Sequence, residues 1–130
     1  MCSILCTSKD IKDYDDINYY LKFRGPDDTS IVKDEVNNFT FLHNLLSMTG
    51  KFTTQPFQED GIICLYNGEI YNYKDFGDYE SDGYCIIDLY KEYGVDFVKK
   101  LDGEFAIVLL DFHNDLILMV TDPFKTKPLF

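Results

Sequence analysis

The sequence has few of the features that mark nucleic-acid-binding and membrane proteins. Its only arginine is Arg24, it has no patch rich in lysine and arginine, and its formal net charge is −11 over 130 residues. Such a chain repels phosphate backbones and anionic membrane surfaces, so neither a nucleic acid nor a membrane is expected as a partner. The sequence also lacks an apolar run long enough to cross a bilayer.

The sequence lacks an export signal and paired Cys-x-x-Cys units as well. The segment from Met1 to Cys6 has neither the basic region nor the apolar length of a signal peptide. This predicts a cytoplasmic protein whose cysteines stay reduced. The two histidines are far apart in sequence, so a zinc site is not predicted. Three cysteines are interpreted as small core residues; these are Cys6, Cys64 and Cys85.

What the sequence does have is enough apolar material for one packed domain covering residues 1–130. Hydrophobic residues make up 45% of the chain and aromatic residues 16%, which argues against disorder. Alternating and helical periodicities predict a mixture of α and β structure. The predicted strands are residues 2–7, 31–36, 39–43, 61–65, 69–73, 104–112 and 116–121. The predicted helices are residues 13–21, a helix between Ser81 as its N-cap and Gly94, and a short one over 95–100.

The stretch from Leu65 to Tyr73 is the element around which the other motifs are arranged. It follows an apolar run that is typical of a buried strand, Gly61 to Leu65. Within it, Asn67-Gly68 is a strong turn signal, because both residue types tolerate positive φ. Local sequence therefore predicts a β-hairpin at this dipeptide. The run from Ala106 to Leu110 is wholly apolar, which predicts a strand covered on both faces.

Five short motifs occur together in this chain. They are Met1-Cys2, Arg24-Gly25-Pro26-Asp27, Asn67-Gly68-Glu69, Ser81-Asp82 and Lys127-Pro128-Leu129. This set resembles the glutaminase domain of asparagine synthetases, which are class II glutamine amidotransferases with an N-terminal cysteine nucleophile. The resemblance implies an α+β fold, the four-layer αββα sandwich of N-terminal-nucleophile (Ntn) hydrolases. It also implies further strands and a separate synthetase domain after Phe130, so we expect a C-terminally truncated domain.

Cys2 is the candidate nucleophile if Met1 is removed, which is expected because cysteine is small. The freed α-amine has an ordinary pKa of about 7.7–8.0 and the thiol one of about 8.5, so the amine can act as the general base for its own thiol. Neither His43 nor His113 then needs a catalytic role. The alternative is that Cys2 is an ordinary small residue in a first strand.

The resemblance assigns roles to further residues. The implied reaction is hydrolysis of the side-chain amide of L-glutamine through a Cys2 thioester, which releases ammonia and needs no metal or organic cofactor; ATP belongs to the separate synthetase domain. Asn67 and Gly68 would supply the oxyanion donors, and Glu69 and Asp82 would hold the α-amino end. Asp82 could instead be an ordinary acidic residue at a helix N-terminus. The remaining substrate-binding positions are Leu46, Ser47, Met48 and Thr49.

Some positions depart from the family pattern. Leu45 stands where the family has an arginine that clamps the α-carboxylate of glutamine, and Lys51 is a hypothetical replacement for that cation. The other departures are Tyr84, Thr121 and Lys125. Three functions therefore stay open. The chain is an active glutaminase that supplies ammonia to a synthetase domain or partner for asparagine synthesis, a catalytically weak binding module, or another Ntn amide hydrolase whose substrate lacks an α-carboxylate.

Overall fold

The computed structural model describes residues 1–48 and 50–130, and these residues form an α+β structure with two antiparallel sheets. The first sheet has the strand order β1-β3-β2 and consists of β1 (Ser3–Thr7), β2 (Asp28–Asp34) and β3 (Phe39–Leu45). The second sheet has the order β4-β5-β6-β7 and consists of β4 (Phe57–Glu59), β5 (Ile62–Ile70), β6 (Gly103–Asp111) and β7 (Leu116–Thr121).

Two α-helices and several 3₁₀ turns connect these strands. The helices are α1 (Tyr14–Leu21) and α2 (Cys85–Tyr93), and the 3₁₀ turns are Lys22–Arg24, Tyr73–Asp75, Asp82–Tyr84 and Gly94–Lys100. Asp13 caps α1, because its carboxylate accepts hydrogen bonds from the backbone N–H groups of Asp15 and Asp16. The predicted start of the first helix is therefore confirmed. No helix in the described parts of the chain is long and apolar enough to cross a membrane.

Strands β5 and β6 of the second sheet are buried on both faces. On β5 and β6, Ile63, Leu65, Val108 and Leu110 pack with Phe41 of the first sheet. The alternate side chains of the same two strands pack against α2; this second cluster includes Cys64, Tyr66, Ile86, Leu89, Ile107 and Leu109. The prediction that residues 106–110 form a strand covered on both faces is thus confirmed.

Helix α1 lies against the first sheet through polar contacts. Asn44 on β3 donates through Nδ2 to Asn18 Oδ1 on α1 at 2.7 Å and to Ser3 Oγ at 2.9 Å. Ser3 Oγ in turn donates to the carbonyl oxygen of Leu21 at 2.9 Å. Because Asn44 and Ser3 are partners in the β1–β3 register, these bonds tie the helix to the strand that begins directly after Cys2.

The predicted hairpin at Asn67-Gly68 is wrong, since β5 continues through both residues to Ile70. Gly68 lies opposite Phe105 in the β5–β6 register. A Cβ atom at position 68 would come within 2.1 Å of the carbonyl oxygen of Glu104. The glycine is needed here because a neighbouring strand approaches closely, and not because the chain turns.

Two smaller predictions also need correction. Ser81 precedes the 3₁₀ turn that leads into α2, but its hydroxyl donates to Asp82 Oδ1 at 3.4 Å instead of capping the backbone. The loop predicted over residues 45–57 ends in a short strand, because Phe57 begins β4 and pairs with Cys64. Both differences come from contacts with β5 and its neighbours, which local periodicity does not reveal.

Asp122 organises the segment that follows β7. Its carboxylate is buried and accepts hydrogen bonds from the backbone N–H groups of Phe105, Phe124, Thr126 and Lys127 and from the Thr126 hydroxyl. Burial raises the pKa of this carboxyl, but the hydrogen bonds, those from Thr126 foremost, outweigh burial and hold the pKa below its usual range. The ionised form of Asp122 therefore stabilises the folded state.

The contribution of Asp122 is expected to disappear in acid. Because its folded-state pKa is lowered, the stability it provides is present above the unfolded-state value of about 3.9 and is lost as the pH falls through the folded-state pKa. We expect Asp122→Asn to lower the free energy of unfolding by about 1–3 kcal/mol near neutral pH. Urea unfolding followed by circular dichroism should show that the difference in free energy of unfolding between Asp122→Asn and wild type becomes smaller below about pH 4. A difference that stays constant there would contradict this, and Asp115→Asn in an exposed turn is the matched control.

Candidate active site

A cavity of about 260 Å³ is lined by residues at the start of β1, at the end of β3 and in the last part of β5. It is smaller than typical drug-binding pockets, which start near ~300 Å³, and is suited to a molecule of the size of an amino acid. Eight of the nine predicted site residues line it; these are Cys2, Leu46, Ser47, Met48, Asn67, Gly68, Glu69 and Asp82. The ninth, Thr49, lies outside the described residues.

Cys2 is positioned at the cavity by the pairing of β1 with β3. Ser3 is the register partner of Asn44, which brings the preceding cysteine level with the end of β3. The Leu46 N–H donates to Cys2 Sγ at 3.3 Å, and the thiol faces the Leu46 carbonyl oxygen at 3.8 Å. Burial raises the pKa of the Cys2 thiol, and the Leu46 N–H and the charged terminal amine oppose this in part. The sulfur is thus partly desolvated and fixed by a backbone donor.

Asn67 brings an unsatisfied amide to the same cavity. Its side chain is 7% exposed and projects from the same face of β5 as Ile63 and Leu65. Within residues 1–48 and 50–130, Asn67 Oδ1 is buried without a hydrogen-bond partner. A buried amide oxygen without a partner costs free energy, and this oxygen can accept a hydrogen bond from a donor that enters the cavity.

Asp82 lines the cavity from the start of the 3₁₀ turn that leads into α2. Its Oδ2 accepts a hydrogen bond from the Tyr66 hydroxyl at 2.5 Å and one from the Ile70 N–H at 2.9 Å. Burial, and after it the charge of Asp82, raises the pKa of Tyr66, so that hydroxyl stays protonated and remains the donor. Asp82 is therefore both an acid close to a helix start and a cavity residue, and the two interpretations are compatible.

The Arg24-Gly25-Pro26-Asp27 segment supports the loop that closes the cavity. Asp27 Oδ2 accepts a hydrogen bond from the Ser47 N–H at 2.8 Å, and the Asp27 N–H donates to the Leu45 carbonyl oxygen at 3.0 Å. Gly25 is required because a Cβ atom there would lie 2.2 Å from the Asn44 carbonyl oxygen. Leu45 itself lines the cavity, at the position where the resemblance implies a cation.

The comparison with known proteins decides the family. A model of the glutamine amidotransferase domain matches residues 1–130 of the chain. The chain belongs to this family. The resemblance drawn from the five motifs is therefore confirmed.

Several curated relatives share the amidotransferase domain. It is 38% identical over 122 residues to asparagine synthetase [glutamine-hydrolyzing] 2 of Bacillus subtilis, a match that covers 85% of this chain and 16% of that protein. It is 30% identical over 127 residues to putative asparagine synthetase [glutamine-hydrolyzing] 1 of Methanocaldococcus jannaschii, covering 89% and 23%. It is 35% identical over 96 residues to the amidase chyE of Penicillium rubens, covering 65% and 14%. The chain thus spans less than a quarter of each relative's length.

The structural role of Gln55 in the amidotransferase domain was not predicted from the sequence. Gln55 is buried, its Nε2 donates to the Tyr66 carbonyl oxygen at 2.9 Å, and its Oε1 accepts from the Tyr66 N–H at 2.6 Å. The Gln55 side chain therefore makes the two hydrogen bonds to the Tyr66 backbone that a residue of a neighbouring strand would otherwise make, immediately before Asn67. No periodicity marks such a contact, because Gln55 itself lies outside the strands.

An ion pair in the wall of the amidotransferase cavity was also missed. Lys127 Nζ lies 2.8 Å from Glu104 Oε1, the Lys127 side chain is 7% exposed, and both residues line the cavity. The predicted replacement cation, Lys51, lines the cavity too, but it forms a surface ion pair with Glu80 at 2.9 Å. The only sequence signal for Lys127 was its place in the Lys-Pro-Leu motif.

The histidines lie outside the cavity. Burial lowers the pKa of His43 to about 4 in spite of the nearby charge of Asp28, so its imidazole is neutral near pH ~7. In the described structure neither His43 nor His113 is part of the lining of the Cys2 cavity. No group of three or more His, Cys, Asp and Glu side chains among the described residues is arranged to hold a metal ion.

Proposed function

We propose that this domain hydrolyses the side-chain amide of L-glutamine through a thioester on Cys2. The observation that carries the proposal is the shared cavity: Cys2, Asn67 and Asp82 all line one space of about 260 Å³, and Asn67 Oδ1 has no hydrogen-bond partner among the described residues. We further propose that the two sheets, with α1 and α2 on their outer faces, form the αββα sandwich of Ntn hydrolases. The packing clusters support the layers of the two sheets and α2, and the contact between Asn18 on α1 and Asn44 on β3 supports the place of α1.

The first step is attack of the Cys2 sulfur on the carboxamide carbon. Removal of Met1 frees the α-amine of Cys2, which takes the thiol proton as the S–C bond forms. The C–N bond then breaks, the proton passes to the departing nitrogen, and ammonia leaves. Water adds to the remaining γ-glutamyl thioester, which releases glutamate and restores the thiol. The Leu46 N–H, 3.3 Å from Sγ, holds the sulfur in place for both steps.

The oxyanion formed in both steps needs fixed hydrogen-bond donors. The Asn67 side-chain amide and the Gly68 N–H are proposed for this role, because both residues line the cavity on β5, a strand paired over its whole length. Asn67 Oδ1, which has no partner among the described residues, would accept an N–H of the substrate carboxamide. One asparagine side chain would thus recognise both the oxygen and the nitrogen of a primary amide.

The amino end of glutamine is proposed to bind at Asp82 and Glu69. Asp82 is held by Tyr66 and Ile70 through Oδ2, which leaves Oδ1 oriented by the weaker contact with Ser81 at 3.4 Å. A carboxylate is the appropriate partner for an α-ammonium group. Leu46, Ser47 and Met48 are proposed to contact the rest of the substrate along the segment after β3, and Thr49, outside the described residues, is proposed as a further substrate-binding residue.

Two measurements test the proposed reaction. Intact mass should show that Met1 is absent, and a diazoketone analogue of glutamine should then add to Cys2 as a single covalent adduct. The same preparation should release ammonia and glutamate from L-glutamine in equal amounts. If the analogue does not react although Met1 is gone and the domain is folded, the chain is a binding module and not a glutaminase.

A second candidate function follows from Leu45. Its apolar side chain lines the cavity where a cation for a substrate carboxylate would be expected, which favours an amide substrate without that carboxylate. A panel of primary amides compared with glutamine by kcat/KM separates the two candidates.

For the glutaminase, we propose that the ammonia passes to a synthetase domain or partner, as the name asparagine synthetase of two relatives suggests, with ATP used there and not by Cys2.

A further inference from the structure

The cavity wall holds a cation that is better placed than Lys51 to bind an anionic ligand group. In the described lining there are two lysines, and they differ in burial. The Lys127 side chain is 7% exposed, whereas that of Lys51 is 64% exposed and its partner Glu80 is 67% exposed. An exposed ion pair is screened by water and salt, so Lys51 offers little to a ligand. A buried ammonium acts in a medium of lower dielectric constant and binds a carboxylate more strongly.

Lys127 is also held in position. Its backbone N–H donates to Asp122 Oδ2 at 3.4 Å, and the same oxygen accepts the Phe105 N–H at 3.2 Å. Phe105 follows Glu104 in the chain, so one buried carboxylate fixes the backbone beside both members of the Glu104–Lys127 pair. An ammonium group has three N–H donors, and Glu104 Oε1 takes one of them. The pair thus leaves further donors of the ammonium group for a ligand.

The strand register puts Lys127 at the end of the cavity that suits the α-carbon of an amino acid. Glu104 is the direct partner of Glu69 across β5 and β6, and both line the cavity. The next residue on β5, Ile70, donates its N–H to Asp82. Lys127 therefore lies at the same end of the cavity as Glu69 and Asp82, the two carboxylates proposed to bind the ammonium group. In an amino acid the ammonium and carboxylate groups are attached to the same carbon, so a site that binds both needs carboxylates and a cation close together.

We propose that Lys127, oriented by Glu104, binds the α-carboxylate of the substrate and thereby selects a free amino acid over other primary amides. This deepens the proposed glutaminase function and depends on it. It also reconciles Leu45 with glutamine as substrate, because the cation enters the cavity from the segment after β7 and not from the end of β3.

The test compares two variants on two substrates. L-Glutamine and its α-carboxamide, glutaminamide, differ in the α-carboxylate and share the reacting side chain. We expect Lys127→Met to lower kcat/KM for glutamine about ten- to a hundredfold, mainly through KM, and to leave glutaminamide nearly unchanged. Lys51→Met, the matched control, should stay within about twofold of wild type on both substrates. Lys127→Arg should retain most of the preference for glutamine, because it keeps a cation.

A second variant guards against a folding artefact. Lys127→Met leaves Glu104 without its partner, so the double variant Lys127→Met with Glu104→Gln removes both charges and should show the same loss of preference. Equal losses on both substrates in both variants, or a selective loss in Lys51→Met instead, would overturn the inference. If the wild-type chain without Met1 hydrolyses neither substrate, the proposed function itself is wrong, and this result is distinguishable from the others.

Discussion

Replacing Cys2 with alanine is expected to abolish the release of ammonia from glutamine. The sulfur forms the bond to the carboxamide carbon in the proposed mechanism, and removing a nucleophile of this kind lowers kcat by ~10³-fold or more. Alanine is as small as cysteine, so removal of Met1 should continue, and intact mass verifies it. Glutamate formation under single-turnover conditions gives the rate directly. The diazoketone adduct should vanish in the same variant.

Cys6 is the matched control for Cys2. It lies on β1, the strand that begins directly after Cys2, but it packs against the cluster between the two sheets and is not part of the described cavity lining. Cys6→Ala should keep full activity and lose about 1 kcal/mol of stability, since little more than one buried group is removed. The mechanism fails if Cys2→Ala retains more than a small part of the activity while Cys6→Ala behaves like wild type.

Replacing Asn67 with alanine is expected to lower kcat by ~10²–10³-fold, because one donor to the oxyanion of the transition state is lost. KM should rise as well, because the proposed hydrogen bond from the substrate carboxamide to Asn67 Oδ1 is lost too. The fold should not suffer from a lost hydrogen bond, since Asn67 Oδ1 has no partner among the described residues. The melting temperature of Asn67→Ala should therefore stay close to that of wild type. Measured on the same preparation, the Asn67→Ala variant should show a large loss of kcat and an almost unchanged melting temperature.

Asn72 provides the reverse case. Its Nδ2 donates to the Lys100 carbonyl oxygen and its Oδ1 accepts from the Asp102 N–H, both at 2.9 Å, away from the described cavity lining. Asn72→Ala should lower stability by about 1–3 kcal/mol and leave kcat unchanged. A loss of activity in Asn67→Ala that merely follows a loss of folded protein would contradict the proposed oxyanion role.

Sequence reasoning located the parts of the candidate site better than the path of the chain between them. The motifs that contain Cys2, Asn67 and Asp82 come from distant parts of the chain, and the structure brings all three residues to one cavity. The start of α1 could be predicted because Asp13 caps it through contacts within a few residues. The buried run at 106–110 could be predicted because its apolar character is itself the consequence of packing on both faces.

The failures share one physical cause, which is contact between residues far apart in sequence. Asn67-Gly68 carries the local signal of a turn, yet Gly68 is present because the Glu104 carbonyl oxygen would lie 2.1 Å from a Cβ atom. Lys127 looked like part of a terminal motif, and its burial against Glu104 follows from the β5–β6–β7 register together with Asp122. Propensity describes a residue and its neighbours in sequence, so neither arrangement was accessible to it.

The amide of Gln55 also bears on how the molecule behaves in concentrated solution. β4 is only three residues long, so it covers part of β5 and leaves the stretch before Asn67 open on that side. Gln55 saturates both backbone groups of Tyr66 at this point. An extended segment from another molecule could not form backbone hydrogen bonds with Tyr66 unless it first displaced the Gln55 side chain. Gln55→Ala would therefore remove a safeguard against intermolecular strand addition beside the cavity.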